Sequence, residues 1–256
     1  MNRFSGKIAI VTGAAQGIGQ ACALAFASEG AAVALVDIRE DLIEQVADQI
    51  RNEGGQAQAV SCDVSKSDEI RSVVDQVTKT FGKIDILVNN AGIMRTTSPL
   101  EEITEEEWDL VIGVNLKSMF LFARAVLPIM RGNRFGKIIN ISSSAGRSTS
   151  EFCGAHYTVS KTGVLGLTRH MAREYGHYGI NVNSVCPAVV DTQNLREELK
   201  KKENLQTILD ALLPTIPLRR LGKSEEVADL VLFLASQQAT YLTGATIDFT
   251  GGSLLL

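Results

Sequence analysis

The sequence predicts an α/β protein built on a doubly wound parallel sheet, a three-layer sandwich of about seven strands. Three observations carry that prediction. Short β-branched runs recur along the whole 256-residue chain. Longer stretches with helical spacing separate them. The runs are apolar without alternation, as expected of strands covered on both faces, and right-handed crossovers then place helices on both sides of the sheet.

The first strand is expected at Ile8 to Thr12, followed by the turn Gly13-Ala-Ala-Gln-Gly17-Ile-Gly19 and a helix from Gly17 to Gly30. The second is expected at Val33 to Asp37 and the third at Ala57 to Cys62, with a helical stretch from Ser65 to Phe81 behind it. A helix needs about 14 to 20 residues to return across a sheet, and these intervals supply them. The fourth strand covers Ile84 to Asn89 and the fifth Lys137 to Ser142, separated by a long helical stretch from Glu105 to Met130. Ala155 to Tyr178 is helical, and Ile180 to Cys186 is the sixth strand. The charged, amphipathic run from Arg196 to Glu203, inside the stretch Gln193 to Leu213, predicts a mobile surface helix. Ala245 to Phe249 is the seventh strand. No linker, charge block, repeat or low-complexity tract divides the chain, so residues 1–256 are expected to form one domain with a small lid around 192–215.

Composition narrows the function classes. Hydrophobic residues make up 45% and charged residues 21%, and the net charge of −4 gives no pull toward nucleic acid or anionic lipid. Neither a nucleic acid nor a membrane is expected as a partner. Cys22, Cys62, Cys153 and Cys186 are scattered without metal-ligand spacing, so reduced thiols and no metal are expected. The N-terminal stretch lacks a signal-peptide pattern and is too short to span a bilayer, which points to the cytoplasm.

Two local patterns carry chemistry. In the strand-turn-helix at Ile8 to Gly30, glycines let the backbone turn sharply and approach a pyrophosphate, while the helix start offers unpaired N–H groups to its charge. The spacing is Gly-x-x-x-Gly-x-Gly and departs from the general Gly-x-Gly-x-x-Gly fingerprint. Asp37 ends the second strand, where a carboxylate accepts from both adenosine-ribose hydroxyls and repels a 2′-phosphate. Neither Gln16 nor Ile38 is basic and only Arg39 is, so NAD is expected in preference to NADP. The second pattern is Tyr157-Thr-Val-Ser-Lys161, with Ser143 fourteen positions upstream. On a helix, residues i and i+4 share a face, and an ammonium beside a phenol lowers its pKa and makes it a usable base.

From Lys7 onward the chain resembles the short-chain dehydrogenase/reductase family in its compact single-domain form, a Rossmann fold. The motifs that carry the resemblance are Thr12-Gly13-x-x-x-Gly17-x-Gly19, Asp63-Val64, Asn89-Asn90-Ala91-Gly92, Asn115, Asn140-Ile-Ser-Ser143, Tyr157-x-x-x-Lys161 and Pro187 through Thr192. The resemblance implies a cofactor site at Gly13, Gln16, Gly17, Ile18, Gly19, Asp37, Asp63, Val64, Asn90, Tyr157, Lys161, Val190 and Thr192. In it Asp63 and Val64 flank the adenine, Asn90 lines the adenosine-ribose side, and Val190 and Thr192 bond the nicotinamide carboxamide. It implies Tyr157 as acid/base, Lys161 as its tuner and ribose ligand, Ser143 as the group orienting the substrate oxygen, and Asn115 as the residue that kinks its helix and links Lys161 to solvent. One departure is Pro187-Ala188 where the family usually has Pro-Gly, a methyl that restricts the backbone and crowds the nicotinamide wall.

By the same resemblance the substrate pocket is lined by Met94, Arg95, Arg147, Glu151, Phe152, Cys153, His156, Val189 and the lid. Arg95, Arg147 and His156 are candidates to hold an anionic group, alongside Ser143 and Tyr157 at the reacting centre. Apolar residues on more than one face of the two long helical segments, such as Leu116, Met119, Phe120, Phe122 and Val126, suggest partner helices. The family commonly forms tetramers, so a homotetramer or homodimer is expected, with Leu254 to Leu256 in an interface. The expected activity is NAD-dependent interconversion of a small polar secondary alcohol and its ketone. The alternatives are a 3-oxoacyl-thioester reductase, which Asn90 to Arg95 and Pro217 to Gly222 also resemble, and a non-catalytic nucleotide-binding protein on the same fold. An epimerase or dehydratase usually carries a larger C-terminal lobe, for which this chain has no room.

Overall fold

The computed structural model describes residues 2–95, 99–150, 152–201 and 203–255. Its centre is a seven-stranded, all-parallel sheet. The strands are β1 (Ile8–Thr12), β2 (Ala32–Asp37), β3 (Gln56–Ser61), β4 (Ile86–Asn89), β5 (Gly136–Ile141), β6 (Ile180–Pro187) and β9 (Thr246–Phe249), in the order β3-β2-β1-β4-β5-β6-β9. Every residue of β1, β2, β4 and β5 is buried, as continuous apolar runs require. All seven expected strands are present, with edges shifted by no more than two residues.

Side chains alternate between two cores. Ala9 and Val11 face one core with α1 (Gly17–Ser28), α2 (Glu40–Asn52) and α9 (Ser224–Ala235). Ile8 and Ile10 face the other with α3 (Ser67–Phe81), α5 (Ser118–Asn133) and α6 (Ala155–Tyr175). The chain runs outward from β1 to β3 and then returns to β4 on the other side of β1. That reversal opens a crevice at the carboxyl ends of β1 and β4, the place where open α/β sheets bind ligands.

Three local features add to the expectation. The long helical stretch, in which the resemblance implies a kink at Asn115, is α4 (Glu105–Ile112), a π turn at Gly113–Lys117, and α5. The extra residue in a π turn lets Asn115 point inward while both flanking helices keep their packing. Glu105–Asn133 is long and apolar enough to cross a bilayer by composition, but 56% of its most apolar window is buried in the protein. Second, the lid contains two helices, α7 (Gln193–Lys201) and α8 (Glu203–Leu212). Its ends are drawn together by a parallel pair of two-residue strands, β7 (Val190–Asp191) and β8 (Gly222–Lys223), too short to leave a periodic signal. Third, Ala188 does not adopt a positive φ, and its N–H donates to Phe249 O at 3.0 Å, so its methyl strains no backbone there.

Candidate active site

The nucleotide end is made largely of main chain. Thr12 Oγ1 accepts from the N–H groups of Asn90 (2.9 Å) and Ala91 (3.0 Å), stitching β1 to the segment after β4. The Asn90 side chain donates to the carbonyls of Thr12 (3.0 Å) and Gly13 (3.2 Å). Contact is so close that a Cβ on Gly13 would lie 2.8 Å from Asn90 Nδ2, and one on Gly19 would lie 2.1 Å from Gly13 O. Glycine is therefore a steric requirement here. Gln16, the N-cap of α1, makes no side-chain cap, and among the described residues no side chain bonds the N–H groups of Gly17, Ile18 and Gly19 where the helix starts. A bare, positively polarised turn of this kind fits the pyrophosphate of a dinucleotide.

Asp37 is buried at the end of β2, 7% exposed. Its carboxylate accepts from Ala15 N in the glycine turn (3.2 Å), from Arg39 N (3.1 Å) and from the Arg39 guanidinium (3.2 and 3.4 Å). At the end of β3, the Asp63 carboxylate accepts from Ser65 Oγ (2.7 Å) and Ser65 N (3.0 Å), which hold it below the usual carboxylate range, and Val64 beside it is buried. Across the crevice, Thr192 places its methyl 3.3 Å from where a Gly17 Cβ would stand, and its hydroxyl accepts from Leu195 N (3.2 Å), capping α7. Val190 is buried in β7.

The catalytic end is made of side chains. Ser143 follows β5; its hydroxyl accepts from Ala145 N (3.1 Å) and sits on the Tyr157 side of the crevice, where it acts to lower the phenol's pKa. Tyr157 is in the first turn of α6, and Lys161 is one turn later. Lys161 Nζ donates to Ile141 O (3.0 Å) and lies 5.7 Å from the centre of the Tyr157 ring. Asn115, fully buried on the π turn, accepts from Ile93 N (2.8 Å) and donates to Ile93 O (3.0 Å) and Ser160 Oγ (3.3 Å). Gly92 separates Asn115 from Lys161: a Cβ there would lie 3.4 Å from Asn115 Oδ1 and 3.5 Å from Lys161 Nζ. Ser143, Tyr157, Lys161 and Asn115 thus converge.

Burial dominates the electrostatics. It pushes the Lys161 ammonium down to about 8. It also pushes the Tyr157 phenol above its ordinary value; the Cys153 thiol adds to this and Ser143 opposes it. In the protein alone the phenol is therefore raised where Lys161 is expected to lower it, and its neutral, proton-donating form is favoured.

Two of the expected anion-binding side chains are occupied elsewhere. Arg147 makes a two-pronged pair with Asp248 on β9 (3.1 Å for each contact), so it braces the turn after Ser143 instead of presenting a free charge. His156 is 0% exposed, with one ring nitrogen on Glu107 and the other on the Tyr157 N–H, which removes it from substrate contact. Arg95 and Met94 are exposed at the mouth, while Ala145, Phe152 and Cys153 pack an apolar wall against Tyr157. Glu151 lies outside the described residues. Sequence reasoning missed Ser160, whose hydroxyl donates to Tyr157 O at 2.7 Å, and Glu107. Thr104-x-x-Glu107 does read as a helix-start signal, and the Thr104 side chain caps Glu107 N at 3.2 Å, but the Glu107 carboxylate turns to His156.

The family model described as enoyl-(acyl carrier protein) reductase matches residues 13–253. The chain is 40% identical over 251 residues to an "uncharacterized oxidoreductase" of Thermotoga maritima, covering 98% of each chain. It is also 40% identical over 253 residues to a 3-oxoacyl-[acyl-carrier-protein] reductase of that organism, covering 99% of this chain and 100% of the relative. A crystal structure of a 3-oxoacyl-[acyl-carrier protein] reductase with bound NAD from Brucella melitensis is similar at 33% identity and a TM-score of 0.88, covering 98% of this chain and 93% of that one. With a bare glycine turn at one end of the crevice, a Ser-Tyr-Lys-Asn cluster at the other, and these relatives along nearly the whole length, the chain belongs to the short-chain dehydrogenase/reductase family of oxidoreductases.

Proposed function

We propose that the protein interconverts a small secondary alcohol and its ketone with NAD(H), with Tyr157 as the acid/base. The observation that carries this reading is the convergence of Ser143, Tyr157, Lys161 and Asn115 at one end of the crevice, with Asn115 joined to Tyr157 through Ser160 and Lys161 held by Ile141 O. A nicotinamide cofactor, when bound, would supply the hydride chemistry between the alcohol carbon and the ketone. The turn at Gly13, Gln16, Gly17, Ile18 and Gly19 would hold the pyrophosphate, Asp37 the adenosine ribose, Asp63 and Val64 the adenine, Asn90 the adenosine-ribose side, and Val190 and Thr192 the carboxamide. Ser143 donates to the substrate oxygen. Tyr157 gives that oxygen its proton in reduction and takes it back in oxidation. Lys161, held by Ile141 O, stabilises the phenolate left after donation.

Asp37 supports NAD: a 2′-phosphate would sit against a buried carboxylate, and Arg39 is already paired with that carboxylate. The Ala145, Phe152 and Cys153 wall supports a substrate that is apolar next to the reacting carbon, with Arg95 left to meet polarity at the mouth. A second reading, reduction of a 3-oxoacyl thioester, is favoured by the names of the relatives at comparable identity. The complete cluster argues against a non-catalytic binding protein. We place the protein in the cytoplasm, in keeping with its four free thiols, as a homotetramer or homodimer. Among the residues expected in an interface, Met119, Phe122 and Val126 are core, whereas Phe120 is 45% exposed and lines a shallow apolar groove with Ile112, Leu116 and Leu167. Leu255 is exposed, and Leu256 lies outside the described residues.

A panel of polyols, sugars, hydroxy acids and 3-oxoacyl thioesters, each with NAD(H) and NADP(H), tests the reading by nicotinamide absorbance. Turnover of thioesters alone selects the second reading, and no turnover removes the enzymatic one. Tyr157→Phe is expected to lower kcat by about 10²- to 10⁴-fold with NADH affinity retained; near-normal turnover in that variant takes Tyr157 out of its role.

A further inference from the structure

Helix α6 begins with no side-chain cap, because its N-cap is Gly154. A helix start leaves its first N–H groups without intrahelical partners, and Tyr157, the third residue of α6, carries one of them. That N–H reaches Gly154 O at 3.1 Å and Nδ1 of the neighbouring His156 at 2.8 Å. A ring nitrogen that accepts a hydrogen bond bears no proton. The hydrogen-bond network therefore assigns the proton of His156 to Nε2, which lies 3.2 Å from Glu107 Oε1. The carboxylate of Glu107 selects the tautomer, and the tautomer supplies the acceptor that Gly154 lacks.

The same helical unit holds the other side of the residue. Glu107 lies on α4, which runs directly into the π turn that carries Asn115. Asn115 bonds Ser160 Oγ, and Ser160 donates to the carbonyl of Tyr157. Both backbone polar groups of Tyr157 are thus tied to α4 and its π turn, one through His156 and one through Ser160.

We propose that His156 is a positioning residue for Tyr157, oriented by Glu107 and setting where the phenol stands against Ser143 and Lys161. The proposal rests on Tyr157 as the acid/base. Proton transfer requires the phenol within hydrogen-bond reach of the substrate oxygen, and a displacement of about 1 Å costs on the order of 100-fold in rate. His156 touches neither substrate nor cofactor in this role, as its full burial requires.

Ring-¹⁵N spectra of histidine-labelled protein read the tautomer without any substrate. The chain has three histidines, and His170 and His177 are exposed, so His156→Asn identifies the third set of signals. The expected result at pH 8 is a His156 Nδ1 without a proton and an Nε2 with one; a protonated Nδ1 overturns the proposal. Spectra labelled at tyrosine Cζ then read the phenol. His156→Phe keeps a ring but removes the acceptor and is expected to shift the Tyr157 signal. His156→Asn places an amide oxygen where Nδ1 stood and is expected to restore it. Glu107→Ala, which alters a partly exposed side chain, is expected to give the Phe-like shift and serves if His156→Phe does not fold. An unmoved Tyr157 signal in both Glu107→Ala and folded His156→Phe overturns the proposal.

Where the parent reduces ethyl acetoacetate with NADH, His156→Phe is expected to lower kcat by about 10- to 100-fold, leaving the KM for NADH within about threefold, with His156→Asn near the parent. Parent-like kcat in His156→Phe overturns the positioning role. Retained turnover in Tyr157→Phe instead overturns the acid/base reading and leaves the tautomer result standing.

Discussion

At the β1–α1 turn the recognition surface is bare main chain, kept open by glycines that admit no Cβ; at the β5–α6 end it is a set of polar side chains, held by main-chain groups and, for Asn115, by Ser160. The two ends of one crevice are therefore sensitive to opposite changes. The nucleotide end is damaged by adding atoms, since there is no space to absorb them. The catalytic end is damaged by removing atoms, since each loss leaves a buried partner unsatisfied. Asp37 is the exception at the nucleotide end, a side chain that is itself bonded to the glycine turn through Ala15 N.

The strongest test of this contrast is Gly19→Ala. The added methyl would stand 2.1 Å from the Gly13 carbonyl, a backbone atom that cannot swing aside. The expected result is a loss of about 4 kcal/mol in stability and at least about a 100-fold loss of NADH affinity, read by thermal melting and fluorescence titration. Parent-like binding would break the contrast outright.

Lys161→Met probes the other end through pH. The folded-state pKa is lowered from 10.5 to about 8 by burial. Below pH 8 the lysine is charged in both states and the full burial penalty opposes folding. Between 8 and 10.5 the unfolded chain holds the proton that the folded protein has released, so stability rises with pH; above 10.5 the penalty is gone. The stability of the parent relative to Lys161→Met should therefore rise by up to about 3 kcal/mol over that window in denaturant titrations. A flat difference would mean that Lys161 is not desolvated.

Asp37→Ala is expected to weaken NADH binding about tenfold and to improve NADPH binding, since it removes a charged acceptor and frees Arg39. An unchanged cofactor preference would put the ribose ligand elsewhere. The smallest effect is expected for Arg147→Ala, a partly exposed pair at 28% and 25%. About 1 kcal/mol of stability and little change in KM are predicted; a large rise in KM would return Arg147 to the substrate.

Much of this protein is legible in its sequence, for a physical reason that has limits. The strands read directly, because a parallel strand covered on both faces is apolar along most of its length, as β1 up to Thr12 and β2 up to Asp37 are. The glycine spacing and the Tyr157-Lys161 step are equally local: a turn or one helical turn brings those residues together whatever surrounds them. The sequence by itself thus determined the layers, the crevice and the residue types at its two ends. Partner choice is different. Arg147 meets Asp248 across 101 positions, His156 meets Glu107 across 49, and Asn115 meets Ser160 across 45. Only the tertiary structure decided that Arg147 and His156 are spent inside the protein, that a π turn aims Asn115 inward, and that burial pushes the Tyr157 phenol up. A polar side chain takes whichever partner the packed elements bring within about 3 Å, and which elements pack together is a property of the whole fold.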